Sequence, residues 1–181
     1  MKEELIIAGF GGQGVLSLGK ILSYSAVLQG KEVTWYPSYG PEMRGGTANV
    51  TVIIDDNKIS SPIVHEYDSA ILLNQQSIDK FEPLVKPGGV IIYDPNGVVS
   101  PPQRKDVTIY EISAAERAVE LGNSRFFNVI VLGGYLKVKP IVEFSYILDG
   151  LKKSLPARVH KLLPANEAAI KEGMEIIKEM V

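Results

Sequence analysis

Short apolar runs alternate along the chain with segments in which apolar residues recur at every third or fourth position. The runs predict buried strands, and the periodic segments predict helices with one buried face. The predicted strands cover residues 5–8, 32–36, 48–54, 58–64, 69–74, 90–93 and 107–111. This alternation predicts an α/β fold, with a three-layer, doubly wound and mostly parallel sheet.

The helical segments differ in how clearly their ends are marked. The first has apolar positions at Val15, Leu18, Leu22 and Ala26. We expect it to end at Gly30. Ser113 and Glu116 have the spacing of a capping box, which predicts a helix from there to near Gly122. The remaining predicted helices pass through Ile78 and Phe81, span 126–135, and end the chain with a face of Ile170, Met174, Ile177 and Val181.

Two turn signals interrupt the strands. Asp55-Asp56-Asn57 predicts a β-hairpin between strands 48–54 and 58–64, which makes the sheet mixed. Lys86-Pro87-Gly88-Gly89 predicts a turn before the strand at 90–93. Because no linker or internal repeat divides the chain, we expect residues 1–181 to form a single domain.

Composition restricts the possible functions. Of 181 residues, 19 are Lys or Arg and 21 are Asp or Glu, so the net charge of −2 argues against a nucleic-acid partner. The chain has no cysteine, which excludes disulfides, thiolate metal sites and a thiolate-ligated iron–sulfur cluster. The opening residues are too acidic for a signal peptide, and no apolar run reaches the length of about 18 residues that predicts a membrane helix. We therefore expect a cytoplasmic protein without a membrane contact.

A glycine-rich loop lies between the first predicted strand and the first predicted helix. Its sequence is Gly9-Phe10-Gly11-Gly12-Gln13-Gly14. In this context the pattern lets a backbone approach a phosphate group at the start of a helix. A nicotinamide site also needs an acid at the end of the second strand, where this chain has Tyr36 and Pro37. A P-loop needs Ser or Thr where Ile21 stands. Close packing of strand against helix remains an alternative reason for the glycines.

A second loop carries an acid and a guanidinium bracketed by glycines. Its sequence is Ser38-Tyr39-Gly40-Pro41-Glu42-Met43-Arg44-Gly45-Gly46-Thr47. One interpretation is a solvated turn with a local ion pair, which contributes little to stability. The other is a docking or active-site loop beside the glycine loop, at the strand ends where open α/β sheets bind ligands.

The two loops together resemble the gamma subunit of 2-oxoacid:ferredoxin oxidoreductases, and the similarity runs through nearly the whole chain. The form of the second loop is more similar to the 2-oxoglutarate and branched-chain members than to the pyruvate members. The resemblance implies a complex that converts a 2-oxo acid and coenzyme A to acyl-CoA, carbon dioxide and reduced ferredoxin. It implies an enzyme subunit that is inactive alone. The alternatives to this assignment are a free-standing dinucleotide-binding oxidoreductase built on the glycine loop and a scaffold subunit without ligand contact.

The resemblance also implies where the cofactors are bound. Thiamine diphosphate, magnesium and iron–sulfur clusters are expected on partner subunits, which are alpha, beta and, in some complexes, delta. Ferredoxin is expected to be reached through the complex. No catalytic or metal-binding residue is expected on this chain; its one Asp-Gly string, Leu148-Asp149-Gly150, is predicted to end a helix. The candidate ligand- or partner-binding residues are Gly9, Gly11, Gly12, Gln13, Gly14, Tyr39, Gly40, Glu42, Arg44, Gly45 and Gly46.

A basic stretch near the end of the chain stands apart from both loops. It contains Lys152, Lys153, Arg158, His160 and Lys161 without an intervening acid. A solvated face is one interpretation of such a run. The sharper alternatives are a surface for an acidic partner and a site for the phosphates of coenzyme A.

Overall fold

The computed structural model describes residues 1–38 and 47–180. The strands are β1 (Lys2–Phe10), β2 (Glu32–Ser38), β3 (Thr47–Asp55), β4 (Tyr67–Leu72), β5 (Val85–Tyr93), β6 (Thr108–Glu111) and β7 (Lys178–Glu179). The helices are α1 (Val15–Leu28), α2 (Gln75–Phe81), α3 (Ala114–Glu120), α4 (Phe127–Val138), α5 (Phe144–Ser154) and α6 (Leu163–Ile176). Short 3-10 turns cover Glu82–Leu84, Ser124–Phe126 and Ala157–Leu162.

The described strands form a single mixed sheet in the order β2-β3-β1-β4-β5-β6-β7. Its centre is parallel, because β1, β4, β5 and β6 pair in the same direction. The edges are antiparallel: β3 lies between β1 and β2 and runs opposite to both, and β7 runs opposite to β6. The predicted α/β class with a mostly parallel, mixed sheet is confirmed.

The alternation of side chains along β1 divides the core into two layers. Leu5 and Ile7 belong to a large cluster that includes apolar residues of α1, α3, α4, α5 and α6. Ile6 and Ala8 belong to a smaller cluster that includes Phe81 of α2. Since neighbouring residues of a strand point to opposite faces, one face of the sheet is covered by α1, α3, α4, α5 and α6, and the other by α2.

Helices α4 and α6 approach each other so closely that glycine is needed at the contact. A Cβ atom at Gly133 of α4 would overlap the carbonyl oxygen of Ile170, and one at Gly173 of α6 would overlap that of Ile130. The predicted burial of the 126–135 segment is confirmed, because most of α4 is buried. Two backbones in direct contact therefore fix the position of α4, whose first residues face the glycine loop.

The hairpin predicted around Asp55-Asp56-Asn57 is wrong. Strand β3 ends at Asp55, and residues 58–64 contain no strand. The partner of β3 is β2, with Ser38 opposite Asn49, so the connection between paired strands is the segment 39–46. The acidic turn is held locally instead, since the Asp55 carboxylate accepts from the Asn57 N–H at 2.9 Å.

Three other boundary predictions are also corrected. The turn predicted at Lys86–Gly89 lies inside β5 as a bulge: Tyr67 pairs with Val85 and Ser69 with Val90, and Gly88 has a φ of 78°. The terminal helix ends at Ile176, where the chain extends to form β7 beside β6. The string 148–150 lies within α5 and does not end it.

Candidate functional site

The glycine loop leaves the sheet at the carboxyl end of β1 and leads directly into α1, as the sequence predicts. Gly12 and Gly14 have φ angles of 95° and 73°, in the left-handed region that favours glycine. Gly14 is the N-cap of α1, and no side chain caps this end of the helix. The first turn of α1 therefore presents backbone N–H groups without a side-chain acceptor.

Gln13 holds the loop closed through both ends of its side-chain amide. Its Oε1 accepts from the Phe10 N–H at 2.6 Å, and its Nε2 donates to the Leu73 carbonyl at 3.1 Å. The second bond ties the loop to the end of β4, the neighbouring parallel strand. Gln13 is one of the binding residues predicted from the sequence. Both polar ends of its side chain are used in hydrogen bonds within the protein.

The glycines of the loop serve two different purposes. A Cβ at Gly9 would lie 2.5 Å from the Gln13 Oε1, and one at Gly14 would lie 2.8 Å from the Asn128 Nδ2. Gly9 and Gly14 are therefore explained by packing against the loop and against α4. Gly11 and Gly12 are exposed, and no atom lies within 4 Å of a Cβ built on Gly12. Those two residues leave the tip of the loop open to a ligand or another chain.

A cavity of about 710 Å³ lies beside the loop, at the carboxyl ends of the parallel strands. Gly12 and Gln13 form one wall, and Phe127 at the start of α4 forms another. Its charged side chains are Asp94 and Glu116, and no Lys or Arg lines it in the part of the chain that the structure describes. An acidic lining of this kind opposes the binding of phosphate groups inside the cavity.

Asp94 lines this cavity and was not predicted from the sequence. It follows β5 and is almost fully buried, and its carboxylate accepts from the Asn96 N–H at 2.7 Å and from the Ala115 N–H at 2.8 Å. Burial raises the pKa of Asp94, against the opposing effect of the backbone hydrogen bonds. The sequence signal that could have identified Asp94 is its position directly after the apolar run 90–93.

The capping box predicted at Ser113 and Glu116 is wrong in its contacts, although α3 begins where it was expected. Ser113 is the N-cap, but its side chain makes no capping hydrogen bond. The Asp94 carboxylate, reaching across from the end of β5, accepts the N–H of Ala115 instead. The capping contact at the start of α3 therefore comes from Asp94, which is distant in sequence, and not from Ser113.

The second loop lies outside the described residues, together with Tyr39, Gly40, Glu42, Arg44, Gly45 and Gly46. Its described neighbours are Ser38, which pairs with Asn49, and Thr47, which pairs with Phe10. Phe10 is the last residue of β1 before the glycine loop. Both loops therefore join the sheet at the same end of adjacent strands.

Within residues 1–38 and 47–180, no group of three or more His, Asp or Glu side chains is arranged to hold a metal ion. Over the same residues, none of the helices combines the length and apolar character needed to cross a membrane.

Comparisons with known proteins agree in what they find. A family model described as pyruvate ferredoxin/flavodoxin oxidoreductase matches residues 4–176. The 2-oxoglutarate synthase subunit KorC of Methanocaldococcus jannaschii is 33% identical over an alignment of 183 positions, which covers 99% of this chain and 96% of that protein. The ketoisovalerate oxidoreductase subunit VorA of Methanothermobacter marburgensis is 40% identical over 127 residues. That match covers 70% of this chain and only 26% of VorA, so the chain spans about a quarter of that protein's length.

A solved structure shares the fold. The gamma subunit of a keto/oxoacid ferredoxin oxidoreductase from Geobacter sulfurreducens superposes with a TM-score of 0.85 at 24% identity. The superposition covers 97% of this chain and 96% of that one. The mixed sheet and its helices are therefore those of a known gamma subunit.

Proposed function

The chain belongs to the pyruvate ferredoxin/flavodoxin oxidoreductase family, and we propose that it is the gamma subunit of a 2-oxoacid:ferredoxin oxidoreductase complex. The observation that carries the proposal is the end-to-end match with KorC, which leaves neither protein with a large unmatched part. In the proposed reaction a 2-oxo acid and coenzyme A give acyl-CoA, carbon dioxide and reduced ferredoxin. The chain acts there as a required component of the complex, and residues 1–181 act as one gamma-type unit.

We propose 2-oxoglutarate as the substrate of the complex. Support comes from the KorC match, which extends over 99% of this chain, whereas the match to VorA is higher in identity but covers 70% of it. The branched-chain 2-oxo acid named by VorA is the second candidate. Assays with both acids on the assembled complex distinguish them.

The donor set of this chain does not fit the family's redox cofactors. The sequence has no cysteine to ligate an iron–sulfur cluster, and within residues 1–38 and 47–180 no three His, Asp or Glu side chains are arranged to hold a metal ion. We propose that alpha and beta subunits, with a delta subunit in some complexes, hold the clusters, thiamine diphosphate and magnesium. Ferredoxin then receives electrons from those subunits and not from this chain.

The proposed functional face consists of Gly11, Gly12 and the segment 39–46. Gly11 and Gly12 are exposed at the tip of the glycine loop, while Gln13 is held by its own contacts within the protein. The neighbouring cavity is lined by Asp94 and Glu116. Those carboxylates favour contact at the loop tip over insertion of a phosphate into the cavity. The tip meets coenzyme A or a neighbouring subunit.

Arg44→Ala tests that face. In the assembled complex the change should cost about 2–5 kcal/mol of association or transition-state stabilisation, because it strands a partner charge. The melting temperature of the isolated chain should hardly change, since an exposed ion pair contributes about 0–1 kcal/mol. If the isolated variant unfolds, Arg44 has a structural role. If the complex of the variant assembles and turns over normally, the segment 39–46 is not part of the proposed functional face.

A free-standing dinucleotide enzyme is less well supported. Strand β3 separates β2 from β1, so the parallel neighbour of β1 is β4. Asn74 stands after β4, where a dinucleotide site of this type carries its ribose-binding acid. Asn74 is buried, and its Oδ1 accepts from the Ser77 N–H at 2.8 Å as the cap of α2.

Purification of the tagged chain from its own host tests the proposed subunit role. The expected result is a stable complex whose partner chains contain iron, acid-labile sulfide and thiamine diphosphate. The chain itself should carry none of these after it is separated from them. Recovery of the chain alone, from cells that contain the oxidoreductase activity in another fraction, would contradict the proposal.

A further inference from the structure

A second cavity of about 360 Å³ lies on the other side of the segment that begins α4. Helix α1 forms one side through Ser17, Lys20 and Ile21, and the end of α5 and the 3-10 turn Ala157–Leu162 form the other. The proposed function does not use any of the residues that line this cavity.

The cavity has an apolar floor and a basic rim. Its floor includes Ile21, Val129 and Leu151, which are buried core residues, and its wall includes the partly exposed Val159 and Leu162. The charged residues that line it are Lys20 and Arg125, and no acid in the described part of the chain lines it. Cations at the edge of an apolar hollow suit a ligand that is both apolar and negatively charged.

The basic surface extends beyond the cavity. Arg158 and Lys161 are exposed on the same 3-10 turn as Val159 and Leu162, and Lys153 is exposed next to Ser154, which lines the cavity. We call Lys20, Arg125, Lys153, Arg158 and Lys161, together with the cavity that Lys20 and Arg125 line, the basic groove. None of these five side chains forms an ion pair with an acid among residues 1–38 and 47–180.

Tyr24 links the two sides of the basic groove. The Nζ of Lys20 lies 5.7 Å from the centre of the Tyr24 ring, and the Nζ of Lys153 lies 5.5 Å from it. Two ammonium groups share one aromatic ring across the contact between α1 and α5. Cation–π contacts hold both ammonium groups near the ring without neutralising their positive charges.

We propose that the basic groove is a docking surface for an acidic segment of a partner subunit, which places an apolar side chain in the cavity. This inference rests on the proposed function for the existence of that subunit. Charge complementarity supports a protein occupant, because the five cations come from α1, α5 and two 3-10 turns. Only two of them line the cavity. A single small anion would contact those two, whereas an extended acidic segment contacts all five.

The cavity has room for an anchoring apolar side chain. A volume of about 360 Å³ is near the lower limit for a small-molecule pocket. Interfaces between proteins commonly place an apolar anchor in a central pocket and surround it with charged residues. The rim charges then govern the rate of association and its salt dependence.

Zero-length carbodiimide cross-linking of the assembled complex tests the contact directly. The reagent joins a lysine to a carboxylate that touches it, so Lys20, Lys153 and Lys161 should form cross-links to Asp or Glu of one partner segment. Lys80 on α2 and Lys105 before β6 are exposed on other parts of the surface and serve as controls. Cross-links from the controls but none from the basic groove would overturn the inference.

Charge reversal provides the second test. Lys20→Glu with Arg125→Glu should weaken binding to the purified partner subunits about tenfold at low ionic strength, and the loss should shrink as salt rises. Lys80→Glu with Lys105→Glu changes the net charge equally and should leave binding unchanged. Circular dichroism should show that both double variants are folded.

The remaining outcomes separate this inference from the proposed function. If the wild-type chain assembles and the Lys20/Arg125 double variant binds equally well, the docking surface is wrong and the subunit role stands. If the wild-type chain does not bind those subunits, both are wrong. Binding of inorganic pyrophosphate that depends on Lys20 and Arg125, with assembly unaffected by the double variant, would identify a small-anion site instead.

Discussion

Individual side chains determine which parts of the glycine loop are held in place and which are exposed. Gln13 uses both polar ends of its amide inside the protein, and Gly9 is glycine because Gln13 lies against it. Gly11 and Gly12 are exposed, and no atom lies within 4 Å of a Cβ built on Gly12. The loop therefore combines a rigid base with an open tip, which is suited to contact with a ligand or a second chain.

Gln13→Leu should destabilise the isolated chain by about 1–3 kcal/mol, because the Phe10 N–H and the Leu73 carbonyl lose their partner. Urea unfolding measures the change. Ser17→Ala, an exposed position in the first turn of α1, is the control and should change stability by less than about 0.5 kcal/mol. Equal stability of the Gln13 and Ser17 variants would show that the amide does not hold the loop.

Contacts between elements explain where sequence reasoning succeeded and where it failed. The first strand, helix α1 and its end near Gly30 follow from local apolar spacing and were predictable. The pairing of β2 with β3 was not, because Asp55-Asp56-Asn57 is a local turn signal while strand pairing is decided by distant residues. Asp94 was missed for the same reason: it caps α3 from another element. Helix α6 ends at Ile176, but Ile177 still packs on the core, from an extended backbone. The apolar spacing of Ile170, Met174 and Ile177 therefore continues past the end of the helix.

Asp94→Asn tests the capping carboxylate through pH. Burial raises the pKa of Asp94 in the folded chain, so the folded state holds its proton more tightly than the unfolded state does. The stability contributed by Asp94 is then complete below the ordinary Asp pKa of about 4 and is lost as pH rises through the raised value. The melting temperature of the wild-type chain should fall relative to that of Asp94→Asn as the pH rises above about 4. Parallel melting curves over that range would contradict the assigned direction.

The contact between α4 and α6 gives a second prediction for the elements. Gly133→Ala and Gly173→Ala should each destabilise the chain by at least about 1–3 kcal/mol, because the new methyl group meets a backbone carbonyl that cannot move aside. Gly134→Ala is a matched control on the same helix, where the nearest atom is the end of the flexible Ile112 side chain, at 2.5 Å. Thermal unfolding should rank the control as the mildest of the three.

At the scale of the whole molecule, the two cavities beside α4 have opposite charge. Asp94 and Glu116 line the one beside the glycine loop, and Lys20 and Arg125 line the other. Open α/β sheets bind ligands at the carboxyl ends of their strands. At that edge this chain has an exposed glycine loop beside the acidic cavity. This arrangement agrees with a chain that completes its site only in contact with other subunits.

The isolated chain should bind neither NAD nor FAD with low-micromolar affinity. The glycine loop offers only a phosphate contact, and Asn74 stands buried where the ribose-binding acid is needed. Isothermal titration calorimetry checks both cofactors. A dissociation constant in the low-micromolar range for either would favour a free-standing dinucleotide enzyme.

The most direct test of the subunit role is reduction of a viologen dye by the purified partner subunits, measured with and without this chain. Both mixtures contain 2-oxoglutarate and coenzyme A. We expect no turnover by the chain alone, little by the partners alone, and coenzyme A-dependent reduction when they are combined. Turnover by the isolated chain, or full activity of the partners without it, would contradict its role as a required gamma subunit.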